Sequence, residues 1–180
     1  MNESPREGGF TLIELLLVVT VIGIVAATAI PSLGKARTAG IEASTIGSLR
    51  ALNGAQTSYA ASCAAGSYAP SVTWLTTPGA GLKAAFIGAE FKAGNTVVRE
   101  NYTIRFTAGP VVAAAKATCN GLAAGLAVQS YFIAADPFKA GSGFGTRHFG
   151  TNSAGTIYQS ANNIAVFYTG APAAPAVPIR

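Results

Sequence analysis

Charged residues are scarce in this sequence. Asp, Glu, Lys and Arg make up 11% of the 180 residues, against a share of about 25% in typical soluble domains. The twelve basic residues are scattered, and no run of Lys or Arg alternates with aromatic residues as in a nucleic-acid groove. The formal net charge of +5 therefore describes a sparsely charged surface. Nucleic acid is not expected as a partner, although weak contact with DNA stays open.

Cysteine and histidine are also rare. The two cysteines, Cys63 and Cys119, form no CxxC pair, and His148 is the single histidine. These residues cannot supply the usual ligand set of a structural zinc site, so no metal is predicted. In an exported domain, two cysteines predict one disulfide, and two buried free thiols are the alternative. The bridge would close a loop of about 57 residues and stabilise the fold by roughly 4 kcal/mol in the chain-entropy model.

Groups that could carry catalysis are few. The acidic residues after Glu14 are separated by long gaps, and His148 has no motif partner. The glycine-rich stretch 141–145 lacks the Lys-Ser/Thr of a phosphate-binding loop. We therefore predict a protein that is not an enzyme and has no cofactor. A membrane-anchored enzyme is the alternative, and an oxidised, pocket-bearing structure with His148 beside Asp136 would favour it. The acidic residues in question are Glu42, Glu90, Glu100 and Asp136.

The C-terminal part of the chain lacks acidic residues altogether. No Asp or Glu follows Pro137. Protein calcium sites are built from several oxygen ligands, among which carboxylates are prominent. A carboxylate-rich calcium loop near the C-terminus is therefore excluded.

One long apolar run lies near the N-terminus. Residues 10–30 carry a single ionisable side chain, Glu14, and as a helix they would span roughly 31 Å at about 1.5 Å per residue, close to the thickness of a bilayer. A cleaved secretory signal has a basic start, a shorter apolar core and a cleavage site after that core. The leading residues MNESPREGG are instead near neutral, and Lys35 and Arg37 follow the run. Charge alone would therefore place the C-terminal side in the cytoplasm.

The start of this run resembles a known family. The stretch GGFTLIE, from Gly8 to Glu14, followed by LLLVVTVIGIVAATAIP, resembles the N-terminus of type IV prepilins and the related pseudopilins. The resemblance implies that residues 1–9 are a leader, cut between Gly9 and Phe10 on the cytoplasmic face by a prepilin peptidase. It also implies N-methylation of Phe10 and retention of residues 10–31 as a transmembrane and assembly helix. The head would then lie outside the inner membrane, against the direction that the charges indicate.

The presence of Glu14, the single ionisable side chain in this apolar run, needs an explanation. A carboxylate inside a bilayer costs a few kcal/mol at the centre and less near the surface, and the positive end of a helix offsets part of that cost. The motif around Glu14 implies a role in assembly, in which its carboxylate meets the amino terminus of another copy. A tolerated interfacial charge is the alternative. Gly23 and Pro31 also match the family pattern and mark the part of the helix that is most easily bent or unwound.

Residues 32–63 are predicted to form an amphipathic second half of the helix. Apolar or semi-apolar residues recur every three or four positions and predict one face packed on a domain. After the helix, Trp74 is predicted to be a packing residue, and Leu82–Phe91 a short helix. The apolar face consists of Ile41, Thr45, Leu49, Leu52, Ala55, Tyr59 and Cys63, and the polar remainder includes Lys35, Arg37, Glu42, Arg50 and Gln56.

The rest of the chain has the pattern of an antiparallel sheet. An α+β class follows, because a long helix precedes the strands, and the pilin resemblance implies the same fold, with a β-sheet head at 64–170 packed on the second half of the helix. The disulfide would then join the helix end to the sheet. The Ala/Pro-rich tail, 171–180, is expected to be extended or poorly ordered. Strands are predicted at Asn101–Thr107, Val111–Thr118, Gln129–Ala134, Arg147–Thr151, Thr156–Gln159 and, as an extra edge, Asn163–Tyr168.

These features together predict a structural subunit of a type IV pilus-like filament. The resemblance implies a subunit held in the inner membrane with its head in the periplasm, which an inner-membrane assembly platform polymerises into an extracellular homo-oligomeric pilus. A type II secretion pseudopilin is one alternative, and a minor tip adhesin or DNA-uptake pilin is another. The major pseudopilins of type II secretion typically hold calcium near the C-terminus, so the missing acidic residues favour a pilin or a minor member. A role in twitching motility, cell adhesion, DNA uptake or secretion stays open.

Overall fold

The structure, a computed structural model, describes residues 9–81, 83–139 and 144–179. The predicted leader therefore lies outside the described residues, except for Gly9. The chain divides into two compact units, with the boundary between Arg37 and Thr38. That boundary falls inside the first helix, α1, which runs from Leu12 to Ser62. The two predicted halves of the helix are therefore parts of one helical element.

The first unit contains the apolar part of α1. Its hydroxyl side chains donate hydrogen bonds to backbone carbonyls one turn earlier, as Thr20 does to Leu17 and Thr28 to Val25, at 2.8 and 2.9 Å. Such bonds satisfy polar groups without water, which a helix inside a bilayer requires. The polar side chains of this segment are therefore compatible with an apolar surrounding.

In the second unit, α1 buries the face that the sequence predicts. Thr45, Leu49, Leu52, Ala55 and Tyr59 are all buried. They pack against the inner face of the sheet in the main hydrophobic core, to which β2 contributes Tyr102, Ile104 and Phe106.

The prediction that Glu42 and Gln56 lie on the exposed remainder of the helix is wrong. Glu42 is 4% exposed and Gln56 is fully buried. The Gln56 amide pairs with the backbone of Ala69 in both directions, donating to its carbonyl at 3.0 Å and accepting from its N–H at 2.9 Å. Polar side chains can be buried when they find such partners.

The head is a six-stranded antiparallel sheet in which each strand pairs with its neighbours in sequence. This architecture confirms the α+β prediction. A short helix, α2, spans Val72–Leu75, and a single 3₁₀ turn spans Ala89–Phe91. The strands are β1 Thr96–Arg99, β2 Tyr102–Ala108, β3 Tyr131–Pro137, β4 His148–Asn152, β5 Ile157–Ser160 and β6 Val177–Pro178.

Four of the predicted strands overlap β2, β3, β4 and β5 to within a few residues, but β1 was not predicted. Arg99 pairs with Tyr102, so the β1–β2 connection consists of Glu100 and Asn101 alone. Both residues have positive φ angles, of 45° and 65°, as a two-residue hairpin of the I′ type requires. Asparagine favours this conformation, and glutamate does not, which explains why the turn had only a weak sequence signal.

The predicted strand Val111–Thr118 is wrong. The segment belongs to the β2–β3 connection, and Val111 contributes only an isolated bridge to Val128. Gly109 lies so close to Ser130 that an added Cβ would collide with it, and Pro110 has no N–H to donate to a ladder. The regular β2–β3 ladder ends at Ala108, although the Gly109 N–H still donates to the Ser130 carbonyl.

The predicted edge strand Asn163–Tyr168 is also wrong. This segment lies over the outer face of the sheet, where Ile164 is buried with Phe132 and Ala134. The Phe167 ring is 5.1 Å from that of Phe132. The edge position is taken by β6, from the tail that was expected to be extended or poorly ordered. The apolar outer face of β3 explains the outcome, because its burial favours a covering segment over one more edge strand.

The predicted helix Leu82–Phe91 is reduced to the 3₁₀ turn at its end, and Leu82 lies outside the described residues. Trp74 is a packing residue, as predicted, and lies between the main core and a smaller cluster. The domain boundaries predicted at residues 31 and 63 stay predictions. The boundary between the two compact units, after Arg37, coincides with neither of them.

Candidate functional site

The candidate site is the start of α1. Gly9 and Phe10 are exposed and precede the helix. A Cβ built on Gly9 meets no atom within 4 Å, so the fold itself does not require glycine there. The Phe10 side chain is 78% exposed. The peptide bond between these residues is therefore open to solvent on the folded chain.

Thr11 caps the helix, and Glu14 lies in its first turn. The Glu14 N–H donates to the Thr11 hydroxyl at 3.3 Å and to the Thr11 carbonyl at 3.2 Å. This T-x-x-E pattern is that of a capping box, which places a carboxylate beside the unpaired N–H groups of the helix start. Among the described residues, no basic side chain forms an ion pair with Glu14. Its carboxylate is thus exposed, near the positive end of α1.

The apolar residues after Glu14 have no cover within the structure. Leu15, Leu16, Ile22, Ile24 and Val25 are among the exposed large hydrophobic residues. By length and composition alone, α1 is a candidate membrane span, and none of its most apolar window is buried. An exposed apolar surface of this size marks a membrane or protein contact.

Gly23 and Pro31 both lie within α1. A Cβ at Gly23 would meet nothing within 4 Å, so no neighbour in the described chain requires its small size. Pro31 removes one backbone donor from the helix. The structure shows both positions as helical, and bending or unwinding there stays a prediction, as do cleavage and methylation at the start.

Glu42 attaches the second half of α1 to the segment before β4. Its Oε1 accepts hydrogen bonds from the backbone N–H groups of Thr146 and Arg147 at 2.8 and 3.2 Å, and from the Thr146 hydroxyl at 3.0 Å. Its Oε2 accepts from the Arg147 guanidinium at 2.8 Å. Burial by itself would raise the pKa of Glu42, but the bonds from Arg147 and Thr146 outweigh it and lower the pKa.

Changing Glu42 to Gln should lower the free energy of unfolding at pH 7 by about 2 kcal/mol, since hydrogen bonds to charged groups contribute about 1.5–3 kcal/mol. Because the folded-state pKa lies below its usual 4.5, the contribution is complete above that pH and is lost as pH falls through the folded value. Urea unfolding of the full chain in detergent at pH 7 and pH 3 measures both. The control is Glu90→Gln, whose ion pair with Arg99 is exposed and 4.0 Å long. Equal losses in both variants would contradict the assignment.

Asn53 makes a second attachment, to the β4–β5 turn. Its amide donates to the Thr151 hydroxyl at 2.9 Å and to the Gly155 carbonyl at 3.3 Å, and accepts from the Tyr131 hydroxyl at 3.1 Å. Burial raises the pKa of Tyr131, so its hydroxyl stays protonated as the donor. Asn53 and Gln56 follow Leu49 at helical spacing and share its buried face. This spacing was the sequence signal that could have identified them as buried polar residues.

The disulfide between Cys63 and Cys119 is present, as predicted. Cys63 directly follows α1, whereas Cys119 lies in the β2–β3 connection and not at a strand end. Beside it, the Asn120 amide donates to the Trp74 and Thr77 carbonyls at 2.7 and 3.2 Å. The bridge therefore joins the end of α1 to this connection.

His148, which has no motif partner in the sequence, has a hydrogen-bonding partner in the fold. Its Nδ1 lies 2.6 Å from Oδ1 of Asp136, and Asp136 also pairs with Arg105. Within the described ranges, no hydroxyl or thiol is hydrogen-bonded to His148. The cavities at residues 29–36, 146–177 and 160–176 are lined by neither His148 nor Asp136. Among the described residues, the pair thus has no hydrogen-bonded nucleophile, which a hydrolytic site needs.

A metal centre has no support in the described part of the chain, where no three His, Cys, Asp or Glu residues are grouped as ligands. Calcium and zinc sites need several such side chains together. The residues from Gly9 to Glu14 are instead an exposed stretch at the start of α1, followed by an uncovered apolar surface.

Comparisons with known proteins match the same N-terminal segment. Residues 4–30 match the prokaryotic N-terminal methylation motif. The chain is 53% identical over 58 residues to the type IV major pilin protein PilA of Myxococcus xanthus (strain DK1622). The match covers 31% of this chain and 26% of the relative, so the chain spans about a quarter of the length of that protein. No solved structure matches. The chain therefore carries a prokaryotic N-terminal methylation motif, and its predicted resemblance to the type IV pilins is confirmed over the matched residues.

Proposed function

We propose that this protein is a structural subunit of a type IV pilus-like filament, polymerised through α1. The observation that carries the proposal is the apolar surface of α1, which begins at a methylation motif and has no cover within the described chain. A membrane covers such a surface before assembly, and the same helix of other copies covers it afterwards. The relative's printed name, a type IV major pilin, supports a pilus over a secretion pseudopilus.

Processing follows from the same segment. A prepilin peptidase cuts between Gly9 and Phe10, and Phe10 is N-methylated. The leader is then residues 1–9, the apolar helix 10–31, its amphipathic half 32–63, the head 64–170 and the tail 171–180. Glu14, now near the new amino terminus, pairs with the terminal amine of a neighbouring copy. That pair offsets the cost of a carboxylate in an apolar bundle.

The head is exported in this scheme. Disulfides persist in oxidising compartments, so the Cys63–Cys119 bridge supports a periplasmic head before assembly and an extracellular one afterwards. The basic residues Lys35 and Arg37 favour the opposite orientation. We give the disulfide more weight, because a disulfide persists only in an oxidising compartment, whereas Lys35 and Arg37 are only two charges. The protein acts by assembly and not by catalysis.

The experiment is electron microscopy of surface material sheared from cells, with mass spectrometry of its main protein. We expect filaments whose subunit mass equals residues 10–180 plus one methyl group. A mass that retains the leader would contradict the processing scheme. Absence of this chain from surface filaments, with the chain present in the periplasm, would favour the pseudopilin instead, and trace amounts at filament ends would favour a minor subunit.

A further inference from the structure

The β2–β3 connection, residues 109–130, has features that the filament role does not explain. It is built almost wholly from small and apolar residues, with Lys116 as its one charged residue. Three of its buried residues, Ala115, Leu122 and Ala127, form a cluster separate from the main core. Trp74 and Val112 pack against this cluster. The connection is thus a small folded unit at the side of the sheet.

The base of the connection is tied to the sheet by backbone hydrogen bonds. Tyr68 and Val128 exchange two such bonds at 2.8 and 3.0 Å, and the Gly109 N–H donates to the Ser130 carbonyl at 2.9 Å. The Gly109–Ser130 bond continues the pairing of β2 with β3, whereas the Tyr68–Val128 bridge joins the connection to the segment that follows α1. They are independent of the cysteines.

The tip of the connection, residues 112–127, is held by contacts at Cys119 and Asn120. The Cys63–Cys119 disulfide joins it to the end of α1, and the Cys119 N–H donates to the Cys63 carbonyl at 3.1 Å. The Ala80 N–H donates to the Cys119 carbonyl at 2.8 Å, and Asn120 binds two further carbonyls. Every one of these contacts involves Cys119 or its neighbour, so they form or break together.

The apolar contacts of the tip are weak by comparison. An alanine side chain buries little apolar area, and burial stabilises in proportion to that area. Each residue that becomes ordered loses backbone entropy. Apart from the partly buried Trp74 and Val112, the cluster consists of two alanines and one leucine, which give little to offset the entropy of the whole tip. The covalent bridge has the larger role, because it keeps the tip near α1 even when the tip unfolds.

We propose that the β2–β3 connection is a redox-dependent surface, whose tip docks on the end of α1 only when Cys63 and Cys119 are joined. In the joining step the two thiols give two electrons and two protons to a protein disulfide of the oxidising compartment, which becomes a dithiol. Excess dithiol reverses the exchange. The six strands pair without either cysteine, so the sheet stays folded while the tip opens.

The docked connection displays apolar side chains to solvent, among them Val111 and Leu126, which are 63% and 50% exposed. Opening rearranges this surface, so the head presents different faces before and after oxidation. The inference concerns the head alone and does not depend on the filament role.

The test is hydrogen exchange, followed by mass spectrometry, on the full chain in detergent micelles. The oxidised protein is compared with the same protein in dithiothreitol. We expect exchange in residues 112–127 to become at least tenfold faster on reduction, with β3 and β4 still protected. Unchanged exchange in the connection would overturn the proposal. Equal loss of protection in β3 and β4 would also overturn it, since the bridge would then support the whole head.

Two variants separate the bridge from its surroundings. The double variant Cys63→Ala/Cys119→Ala should reproduce the reduced protein and should not respond to dithiothreitol. Asn120→Ala, with the disulfide intact, should exchange more slowly in residues 112–127 than the reduced protein. Full opening of the Asn120→Ala variant while oxidised would show that Asn120, and not the disulfide, controls docking.

Discussion

Replacing Gly9 with leucine should leave the precursor uncut. A side chain at the position before the scissile bond fills space that the peptidase needs, and we expect the processed fraction to fall at least about tenfold, which corresponds to about 1.4 kcal/mol of lost transition-state binding. A Cβ added at this position meets no atom within 4 Å, and Gly9 is exposed, so we do not expect the substitution to disturb the fold. Mass spectrometry of the membrane fraction measures the ratio of the precursor to the chain that begins at Phe10.

The matched control is Gly40→Leu. Gly40 also has no atom within 4 Å of an added Cβ, but it lies beyond the methylation motif, which ends at residue 30. Its precursor should be cut as in the wild type. A mature N-terminus at Phe10 in most of the Gly9→Leu protein would refute the cleavage assignment, whatever the control shows.

Replacing Glu14 with glutamine should abolish most filament assembly while leaving cleavage intact. The change keeps the size of the side chain and removes the charge that we propose pairs with the amine of a neighbouring copy. Breaking a buried ion pair by removing one partner costs about 3–5 kcal/mol, and we expect the filament yield to fall by at least about tenfold, the equivalent of 1.4 kcal/mol. Quantitative immunoblots of sheared and cell-bound fractions measure the yield.

The same experiment distinguishes the alternative role of Glu14. A merely tolerated interfacial charge would oppose burial, so its removal would leave assembly unchanged or improve it. Glu90→Gln is the control, since this head residue is exposed and remote in sequence from the motif. Normal filaments from the Glu14→Gln chain, with cleavage at Phe10, would contradict the assembly role of Glu14 without affecting the cleavage site.

The sequence predicts the helix and the methylation motif of the N-terminal segment, whereas cleavage, methylation and the role of Glu14 stay predictions. The apolar run and the motif GGFTLIE are local patterns, and helix formation depends on residues within one or two turns. The spacing of Leu49, Leu52 and Tyr59 likewise indicates the buried face of α1. The disulfide could be predicted because the sequence has only two cysteines, so that pairing has one solution.

Such local patterns did not reveal the hydrogen-bonding partners that lie far apart in the sequence. Periodicity shows which residues face a core but not which groups they meet there, so Glu42 was assigned to the exposed side although Thr146 and Arg147 satisfy it. The same limit applies to His148, whose partner Asp136 lies on the neighbouring strand. A polar residue is buried only when the folded chain supplies its hydrogen bonds, and that depends on the strand register.

The sequence by itself therefore determined the helix, the processing motif, the α+β class and the cysteine pair, because each depends on neighbours in the chain or on a count. Only the tertiary structure decided how the sheet is completed. The segment 161–176 covers the outer face of β3, and β6 takes the edge, because the apolar side chains of Phe132 and Ala134 are buried better by a crossing segment than by a paired strand. The β2–β3 connection likewise forms no strand, because its buried residues Ala115, Leu122 and Ala127 pack with Trp74, which lies far away in the sequence.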